Sequence, residues 1–544
     1  MLDRLSGATP YPSRRSPTYA RRGMVSTTQP LAAQVGRDIL ARGGNAVDAA
    51  VATAAALTVV EPTSNGLGGD AFALVWIADG ADRGLHGLDG SGKAPRGLSL
   101  DSVRKLGHER MPLRGWLPVM VPGCPAAWAE LSRRFGKLPF ADLLAPAIAL
   151  AEQGFPVSPT IAEQWRRGVT QITDALAAAP LPETDHFLSM FAPEGQVPRA
   201  GELWRSTDLA RTLEALAMTQ CESFYRGELA RQMDDFSRQT GGGLGGDDLA
   251  HYQAEWVTPI STRYRGFDVW ELPPNGQGVV VLMALNLMEG FDVDHRDNPA
   301  VLHHQLEAMK LAYCDGMAHI TQPSDMRTRV EDLLSLTYAD QRRTLIGERA
   351  LAPFPGTPAS GGTVYLATAD ADGNMVSFIQ SNYHDFGAAV VVPDTGILLQ
   401  NRGSAFSLDP QHVNALAPGK KTFHTIIPGF LTQAGQPLGP FGVMGAFMQP
   451  QGQMQAVMNM VDFALNPQAA LDAPRWQWFG GRRVGLEAGY GAHLANAMAA
   501  RGHEVFLDHD RIPYGRGQII LRDPHSGVLC GGCEPRADAA IAVL

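Results

Sequence analysis

Hydrophobic residues follow a helical period near the start of the chain. Leu31, Val35 and Ile39 recur at every fourth position, which predicts an amphipathic helix. Asn45 is a residue type that caps the amino end of a helix, and it precedes an apolar, alanine-rich run from Ala46 to Val60. Small side chains allow close packing, so we expect two consecutive helices that lie against a sheet.

The pattern changes twice along the rest of the chain. From Ala126 to Ile320 it is mainly helical, interrupted by one predicted strand at Phe267–Leu272. The stretch from Ala350 to Gly362 is dense in proline, glycine and small residues, so we expect an exposed, mobile joint. Strand-like runs at 364–369 and 375–379 then flank an Asp-Gly pair, which predicts a β-hairpin. We therefore predict a helix-rich first two-thirds and a β-rich last third.

Composition and charge exclude several classes of protein. The 544 residues are 45% hydrophobic and 18% charged, as is typical of globular proteins. A formal net charge of -10 argues against binding to a nucleic acid. Five cysteines form no disulfide framework, and they fit either a reducing compartment or a protein that is indifferent to redox conditions. Residues 1–23 lack the apolar core of a signal peptide, and no stretch is long enough to span a bilayer. We expect a cytoplasmic protein without a membrane partner.

The joint ends at a possible nucleophile. Gly362-Thr363 closes the Gly/Pro stretch and opens a strand. A threonine hydroxyl is a poor nucleophile by itself, but an amino-terminal threonine carries its own base in its α-amino group. Cleavage after Gly362 would create that group at Thr363. Taken alone the pattern is weak, because threonine is also an ordinary strand former.

The surrounding motifs change that interpretation. Their shared property is that they occur in a fixed order and spacing along nearly the whole chain, from Met24 to Leu544. They are Gly43-Gly44-Asn45-Ala46-Val47-Asp48, Glu61-Pro62, Gly66-Leu67-Gly68-Gly69, Asp372-Gly373-Asn374, Phe386-Gly387, Thr395-Gly396-Ile397, Pro418-Gly419-Lys420-Lys421, Asp472-Ala473-Pro474-Arg475 and Glu534-Pro535-Arg536-Ala537-Asp538. In this order the chain resembles the γ-glutamyltranspeptidase family of N-terminal nucleophile hydrolases.

The resemblance implies a fold and a division of the chain. The expected fold is α+β, a four-layer αββα sandwich. The expected parts are an N-terminal extension (1–23), a large-subunit segment (24–362) and a small-subunit segment (363–544) that carries the nucleophile, with both segments forming one αββα unit. The precursor would be cut between Gly362 and Thr363, and no cofactor is needed.

The resemblance also assigns catalytic positions. Thr363 is similar to the catalytic threonine, which first cleaves the precursor and then forms the acyl-enzyme. Ser381 stands where the family has a hydroxyl that hydrogen-bonds this nucleophile, although an ordinary strand serine is the alternative. Gly445 and Ala446 stand where the family has a Gly-Gly pair whose backbone N–H groups form the oxyanion hole, and alanine can serve if its backbone angles permit. A plain tight turn is the alternative for that pair.

Several substrate-binding positions depart from the family pattern. Ser91 replaces an arginine that holds the substrate's α-carboxylate, and Ala405 replaces an aspartate that pairs with its α-ammonium. The other departures lie in the same pocket: Tyr383 for an asparagine, Arg402 for a glutamine, and His424-Thr425 for a pair of serines. His424 could tune the pocket or simply line its wall. The segment after Phe406 is short, so an open site is expected.

Arg402 brings a guanidinium into this pocket. We therefore hypothesise that it replaces the arginine missing at Ser91 and binds an acidic acyl group. Pairing with a local acid such as Asp409 is the alternative. The implied function is cleavage of γ-glutamyl-type amides with transfer of the acyl group to water or an amine. A glutaryl-amide acylase without transfer activity and a non-catalytic, uncleaved homologue are the other possibilities.

Two further clusters are interpreted as structural. Cys530 and Cys533 form one Cys-x-x-Cys, which is half of a zinc site without a second pair. His303 and Glu307 have helical spacing beside His304, but a third metal ligand cannot be named from the sequence. An exposed helix face is therefore expected there, and no metal site is predicted.

Overall fold

The computed structural model describes residues 15–353 and 362–544. Residues 354–361, which form most of the predicted mobile joint, lie outside the described residues, so that prediction stays untested. No helix in the described ranges combines the length and the apolar character needed to cross a membrane.

The two predicted helices at the start of the chain are confirmed. They span Pro30–Ala41 and Ala46–Val60, and Asn45 caps the second together with Asp48 in a reciprocal capping box. Every residue of the second helix is buried, so it packs on all sides and not only along one face. The other α-helices are Leu100–Lys105, Cys124–Phe135, Phe140–Gln153, Pro159–Ala178, Asp185–Phe191, Thr207–Thr219, Glu222–Arg226, Glu228–Gln239, Gly246–Ala250, Gly278–Glu289, Pro299–His319, Val330–Leu333, Leu336–Arg343, Met448–Val461, Pro467–Asp472 and Gly491–Ala500.

The strands are numbered β1 to β21 in chain order. They are β1 Thr18–Ala20, β2 Gly23–Thr27, β3 Asp70–Ile77, β4 Gly84–Gly90, β5 Phe155–Pro156, β6 Leu203–Trp204, β7 Glu255–Val257, β8 Ile260–Tyr264, β9 Phe267–Glu271, β10 Gly362–Asp370, β11 Met375–Tyr383, β12 Val391–Val392, β13 Ile397–Leu398, β14 Gly429–Gln433, β15 Gln436–Met444, β16 Trp476–Gly480, β17 Arg483–Glu487, β18 Glu504–Asp508, β19 Arg516–Arg522, β20 Leu529–Cys533 and β21 Ala540–Val543. The predicted hairpin is confirmed as β10 and β11.

Two seven-stranded antiparallel sheets form the centre of the molecule. The first has the order β21-β2-β10-β11-β3-β4-β7, and the second has the order β1-β20-β19-β15-β14-β9-β8. Each sheet combines strands from before and after the Gly362-Thr363 bond. The strand that begins at this bond, β10, lies in the middle of the first sheet between β2 and β11.

The side chains of β10 show the layering. Val364 and Leu366 pack into the core that contains the helix Ala46–Val60, whereas Tyr365 and Ala367 pack into the core between the two sheets. This alternation is what a strand buried on both faces requires. A third core joins the second sheet to helices that include Gly278–Glu289. The layers are therefore helix, sheet, sheet and helix, and the predicted αββα sandwich is confirmed.

The distribution of elements differs from the prediction in three places. The strand at 267–272 is preceded in the chain by two strands that were not predicted, β7 in the first sheet and β8 beside it in the second. The side chains of both are mostly half-exposed and lack a clear hydrophobic alternation. The last third also contains helices, the longest being Met448–Val461. Strand β1 lies inside the predicted N-terminal extension and pairs with β20, so part of that stretch belongs to the second sheet.

The expectation of an exposed helix face at His303 and Glu307 is wrong. Both side chains are fully buried, and the third residue beside them is His503, which follows the helix Gly491–Ala500. His303 Nδ1 lies 2.9 Å from His503 Nε2, and His303 Nε2 lies 2.8 Å from the carbonyl oxygen of Gly347. One consistent proton arrangement has His503 donating to His303 and His303 donating to Gly347, with both rings neutral.

A buried lysine completes this network. Lys310 Nζ lies 2.7 Å from Glu307 Oε1, 3.0 Å from the carbonyl oxygen of Leu351 and 3.3 Å from His503 Nδ1. The second oxygen of Glu307 accepts a hydrogen bond from the Leu351 backbone N–H. All three ammonium hydrogens thus have acceptors within the cluster. Through its bonds to the backbone of Gly347 and Leu351, the cluster also holds the chain in place shortly before the joint.

Candidate functional site

A β-bulge marks the start of β10. Gly362 pairs with Tyr383 and Val364 pairs with Gln380, so Thr363 faces two residues of β11, Ser381 and Asn382. Bulges re-aim side chains and are frequent beside active sites. Thr363 is buried with 1% of its surface exposed, at the edge of the core between the two sheets.

The bulge brings two hydroxyl groups together. Thr363 Oγ1 lies 3.0 Å from Ser381 Oγ, which in turn accepts a hydrogen bond of 2.8 Å from the Tyr383 backbone N–H. Tyr383 has a φ of 78°, a backbone conformation that costs energy for a residue other than glycine. The turn of the chain just after Ser381 therefore has an energetic cost in backbone strain.

Gly445 and Ala446 follow β15 at the amino end of the helix Met448–Val461. Their φ angles are 136° and 49°, so both are left-handed, and an alanine there costs about 1 kcal/mol. Gln277 Nε2 donates to the Ala446 carbonyl oxygen at 3.0 Å and holds the turn. The N–H groups at a helix amino end favour negative charge.

Arg402 is almost fully buried among the residues predicted to bind the substrate. Its Nη1 donates to Thr425 Oγ1 at 2.6 Å, and its guanidinium carbon lies 3.9 Å from the centre of the Tyr383 ring. Among the described residues, neither Nε nor Nη2 has a hydrogen-bond partner. Burial lowers the pKa of Arg402 to about 10, so it remains charged at neutral pH.

The alternative partner for Arg402 is not observed. Asp409 accepts a hydrogen bond from the backbone N–H of Gln411, and no ion pair of Arg402 is formed with any acid in residues 15–353 and 362–544. A buried guanidinium with two unsatisfied nitrogens is costly, because unpaired buried polar groups lose their hydration without compensation.

His424 and Asp70 form a buried hydrogen-bonded pair. His424 Nε2 lies 2.9 Å from Asp70 Oδ2, and Asp70 Oδ1 accepts from Gln400 Nε2 at 2.8 Å and from the Gly92 backbone N–H at 3.0 Å. Burial raises the pKa of Asp70 to about 7, against the opposing effect of Arg402. Burial, reinforced by Arg402, holds the pKa of His424 far below its ordinary value, so the ring is neutral.

Ser91 is buried at the border of this region. Its hydroxyl donates to Asn275 Oδ1 at 3.3 Å, and Asn275 Nδ2 donates to the Thr422 carbonyl oxygen at 2.7 Å. The backbone N–H of His424 also donates to the Asn275 carbonyl oxygen. Ser91 thus touches the loop that carries His424 but carries no charge with which to hold a carboxylate.

The structure brings the predicted site residues into one connected region. Consecutive contacts link Thr363, Ser381, Tyr383, Arg402, Thr425, Gln277 and Ala446. The predicted nucleophile, the predicted charged binding group and a helix-end turn therefore lie within a few contacts of one another, an arrangement that suits amide cleavage through an acyl intermediate.

A family model described as gamma-glutamyltranspeptidase matches residues 32–544. The chain belongs to the γ-glutamyltranspeptidase family. It is accordingly a γ-glutamyltransferase-like enzyme of the N-terminal nucleophile hydrolase superfamily, as the order of its motifs predicts.

Relatives of this family member carry different names, among them glutathione hydrolase and acylase. The glutathione hydrolase-like YwrD proenzyme of Bacillus subtilis is 37% identical over 525 residues, covering 95% of this chain and 97% of the relative. The acylase ACY 1 proenzyme of a Pseudomonas species is 34% identical over 543 residues, covering 97% and 94%. The crystal structure of a cephalosporin acylase from Bacillus halodurans is 57% identical with a TM-score of 0.94, covering 99% of this chain and 98% of that one.

Three residues in the site of this γ-glutamyltranspeptidase-family chain were not predicted from the sequence. Asp70, Gln277 and Gln400 are fully buried polar residues that hold neighbouring groups in place. Asp70 could have been noticed, because an acid directly before an apolar strand is unusual in a position that becomes buried. The two glutamines carry no such signal, since glutamine is common on surfaces.

Proposed function

We propose that this enzyme cuts itself between Gly362 and Thr363 and then cleaves amides whose acyl group ends in a carboxylate. Thr363 Oγ1 attacks the amide carbonyl and forms an ester, and the amine leaves. Water, or an amine acceptor, then attacks the ester and releases the acyl group. The known relatives named as proenzymes support a precursor of this kind.

The proton steps fall to Thr363 itself. Its α-amino group, once freed by cleavage, has an ordinary pKa of about 8 and can take the hydroxyl proton and later deliver it to the leaving amine. Ser381, at 3.0 Å, is the hydroxyl that orients Oγ1. The N–H groups of Gly445 and Ala446 would stabilise the oxyanion, in a turn whose carbonyl oxygen is fixed by Gln277.

The observation that carries the choice of acyl group is the state of Arg402. Its guanidinium is buried and charged, and in the described parts of the chain its Nε and Nη2 lack partners. Those two nitrogens lie on one edge of the planar group, which matches a carboxylate in a bidentate arrangement. A substrate carboxylate would supply the missing hydrogen bonds.

The same pocket favours a second candidate function, hydrolysis of glutaryl amides. Ala405 cannot pair with an α-ammonium, so the amine of a γ-glutamyl group gains no binding energy from this position. A glutaryl group, which lacks that amine, therefore loses no contact there. The cephalosporin acylase and acylase ACY 1 relatives support this candidate, and the glutathione hydrolase-like relative supports the γ-glutamyl group.

The experiment compares γ-glutamyl, glutaryl and butyryl nitroanilides on the processed enzyme and on Arg402→Gln. Loss of a charge-assisted pair of hydrogen bonds costs about 1.5–3 kcal/mol, so kcat/KM for the two acidic substrates should fall about 10- to 150-fold. The uncharged butyryl substrate should change little. Arg402→Lys is the matched control, because it keeps the charge and loses the planar fork.

Two outcomes would contradict this proposal. Equal losses for acidic and butyryl substrates would mean that Arg402 only supports the fold. An intact mass that shows a single uncleaved chain with full activity would exclude Thr363 as an amino-terminal nucleophile, and Thr363→Ala provides the unprocessed reference.

A further inference from the structure

A buried acid beside Arg402 has no part in the chemistry above. Asp70 opens β3 and pairs in register with Ser381 of β11, next to the nucleophile. Its side chain is fully buried and faces the pocket elements, not solvent. Any charge that it carries therefore acts on the substrate site with little screening by water.

Asp70 and Arg402 are held by the same two stretches of chain. Asp70 accepts from Gln400 and contacts His424, whereas Arg402 lies two residues after Gln400 and binds Thr425, the neighbour of His424. The two charged groups form no direct hydrogen bond among the described contacts, yet each shifts the pKa of the other towards its charged form. They are buried neighbours of opposite charge.

Other groups around Asp70 do not change this balance. Asp89 and Lys421 form an ion pair of 2.8 Å, with Glu255 as the second partner of the lysine at 3.1 Å. Burial raises the pKa values of Cys124, Tyr225 and Tyr252, so these groups are uncharged at neutral pH. Burial also raises the pKa of Tyr383, whose ring contacts Arg402, so this phenol is uncharged as well. After cleavage the α-amino group of Thr363 titrates near the site too, and the comparison with Asp70→Asn subtracts its contribution.

Binding of a substrate carboxylate to Arg402 would leave one uncompensated negative charge in the buried pocket. Before binding, one carboxylate, that of Asp70, acts electrostatically on the guanidinium. After binding, the guanidinium would face two carboxylates in a pocket of low polarity, which is strongly unfavourable unless one is neutralised. A proton is the smallest available positive charge.

We propose that the Asp70–His424 pair takes up one proton from solvent when an acidic acyl group binds to Arg402. This inference rests on the proposed function, whose acyl carboxylate it requires. The net charge of the pair then changes from -1 to zero, and the substrate carboxylate replaces Asp70 as the counter-ion of the Arg402 guanidinium. Because Asp70 Oδ2 and His424 Nε2 are 2.9 Å apart, the proton belongs to the pair and not to one atom.

The consequence is a pH-dependent affinity for acidic acyl groups. Above neutral pH the free pair has no proton, so binding must bring one in, and the affinity falls about tenfold per pH unit. Below neutral pH the pair is already protonated and the affinity levels off. A neutral acyl group brings no extra charge, so its affinity stays independent of this pair.

The test is calorimetric titration of processed enzyme with glutarate, a compound that cannot be turned over. Titrations above pH 7 in two buffers with different heats of ionisation give the number of protons taken up. We expect the wild type to take up about one proton more than Asp70→Asn. Asp70→Asn should also bind glutarate more tightly above neutral pH, and KM for the glutaryl substrate should lose its rise with pH.

Each outcome of these titrations either supports or overturns the inference. Binding of glutarate without proton uptake, or uptake that persists in Asp70→Asn, overturns this inference and leaves the proposed function standing. Failure of glutarate to bind at all overturns both. Asp70→Ala is the second variant in case Asp70→Asn does not process, and it should reduce the proton count equally, because it also removes the carboxyl group that takes up the proton.

Discussion

Replacing Gly69 with alanine should displace Ser381 and slow both processing and turnover. A Cβ added at Gly69 would lie 2.6 Å from the Ser381 carbonyl oxygen and 2.7 Å from Asn382 Oδ1. Ordinary contacts begin near 3.4 Å, so the end of β11 would have to move by about 0.8 Å. The Oγ–Oγ distance of 3.0 Å between Ser381 and Thr363 leaves little room for such a shift.

The size of the effect follows from this displacement. A misplacement of about 1 Å at a catalytic group can cost about 100-fold in rate, whereas overpacking typically costs about 1–3 kcal/mol of stability. We therefore expect a loss in kcat of one to two orders of magnitude in a protein that still folds. Gly243→Ala is the matched control, since its new Cβ would meet no atom closer than 3.9 Å.

The assay follows the conversion of precursor to two chains by intact mass and then measures kcat on the processed fraction. Thermal unfolding of both variants separates a loss of fold from a loss of geometry. Processing and kcat at wild-type level in Gly69→Ala would refute the view that β11 must hold Ser381 against Thr363.

Two further predictions follow from other contacts. Thr425→Val removes the 2.6 Å hydrogen bond to Arg402, so kcat/KM for acidic acyl substrates should fall about 10- to 150-fold. Thr425→Ser keeps the hydroxyl and should retain most activity. An unaffected valine variant would show that this bond does not position the guanidinium. Burial and Lys310 lower the pKa of His503 to about 3, so its contribution to stability is complete above about pH 6.5 and is lost as the pH falls from there towards 3. The free energy of unfolding, measured by chemical denaturation, should fall by about 1.4 kcal/mol per pH unit as the pH is lowered through that range. His503→Gln should reduce this slope, whereas the exposed His493→Gln should not. Equal slopes in all three proteins would contradict the prediction.

The sequence predicts those parts of the fold and site that depend on local pattern. The capped helix Ala46–Val60 and the hairpin β10–β11 follow from periodicity and turn residues, and the order of motifs identifies the αββα architecture. The half-exposed strands β7 and β8 carry little hydrophobic alternation, so they were not visible.

Contacts between distant positions could not be predicted in this way. His303 and His503 are separated by 200 residues, and only the fold shows that they meet and that Lys310 contacts the other ring nitrogen of His503. The same holds for Asp70 and its partner His424, which are separated by 354 residues. Single-sequence patterns encode periodicity, whereas these contacts depend on how layers pack.

The position of β10 inside the first sheet has a consequence for unfolding. A cut before Thr363 would leave β2 and β10, on separate chains, hydrogen-bonded as neighbours. The two chains would then share one cooperative core and could separate only by unfolding. Refolding of the uncut precursor is a unimolecular reaction, whereas refolding of the cut protein requires two chains to meet. Its yield should therefore depend on concentration, and denaturation should be far harder to reverse after cleavage than before it.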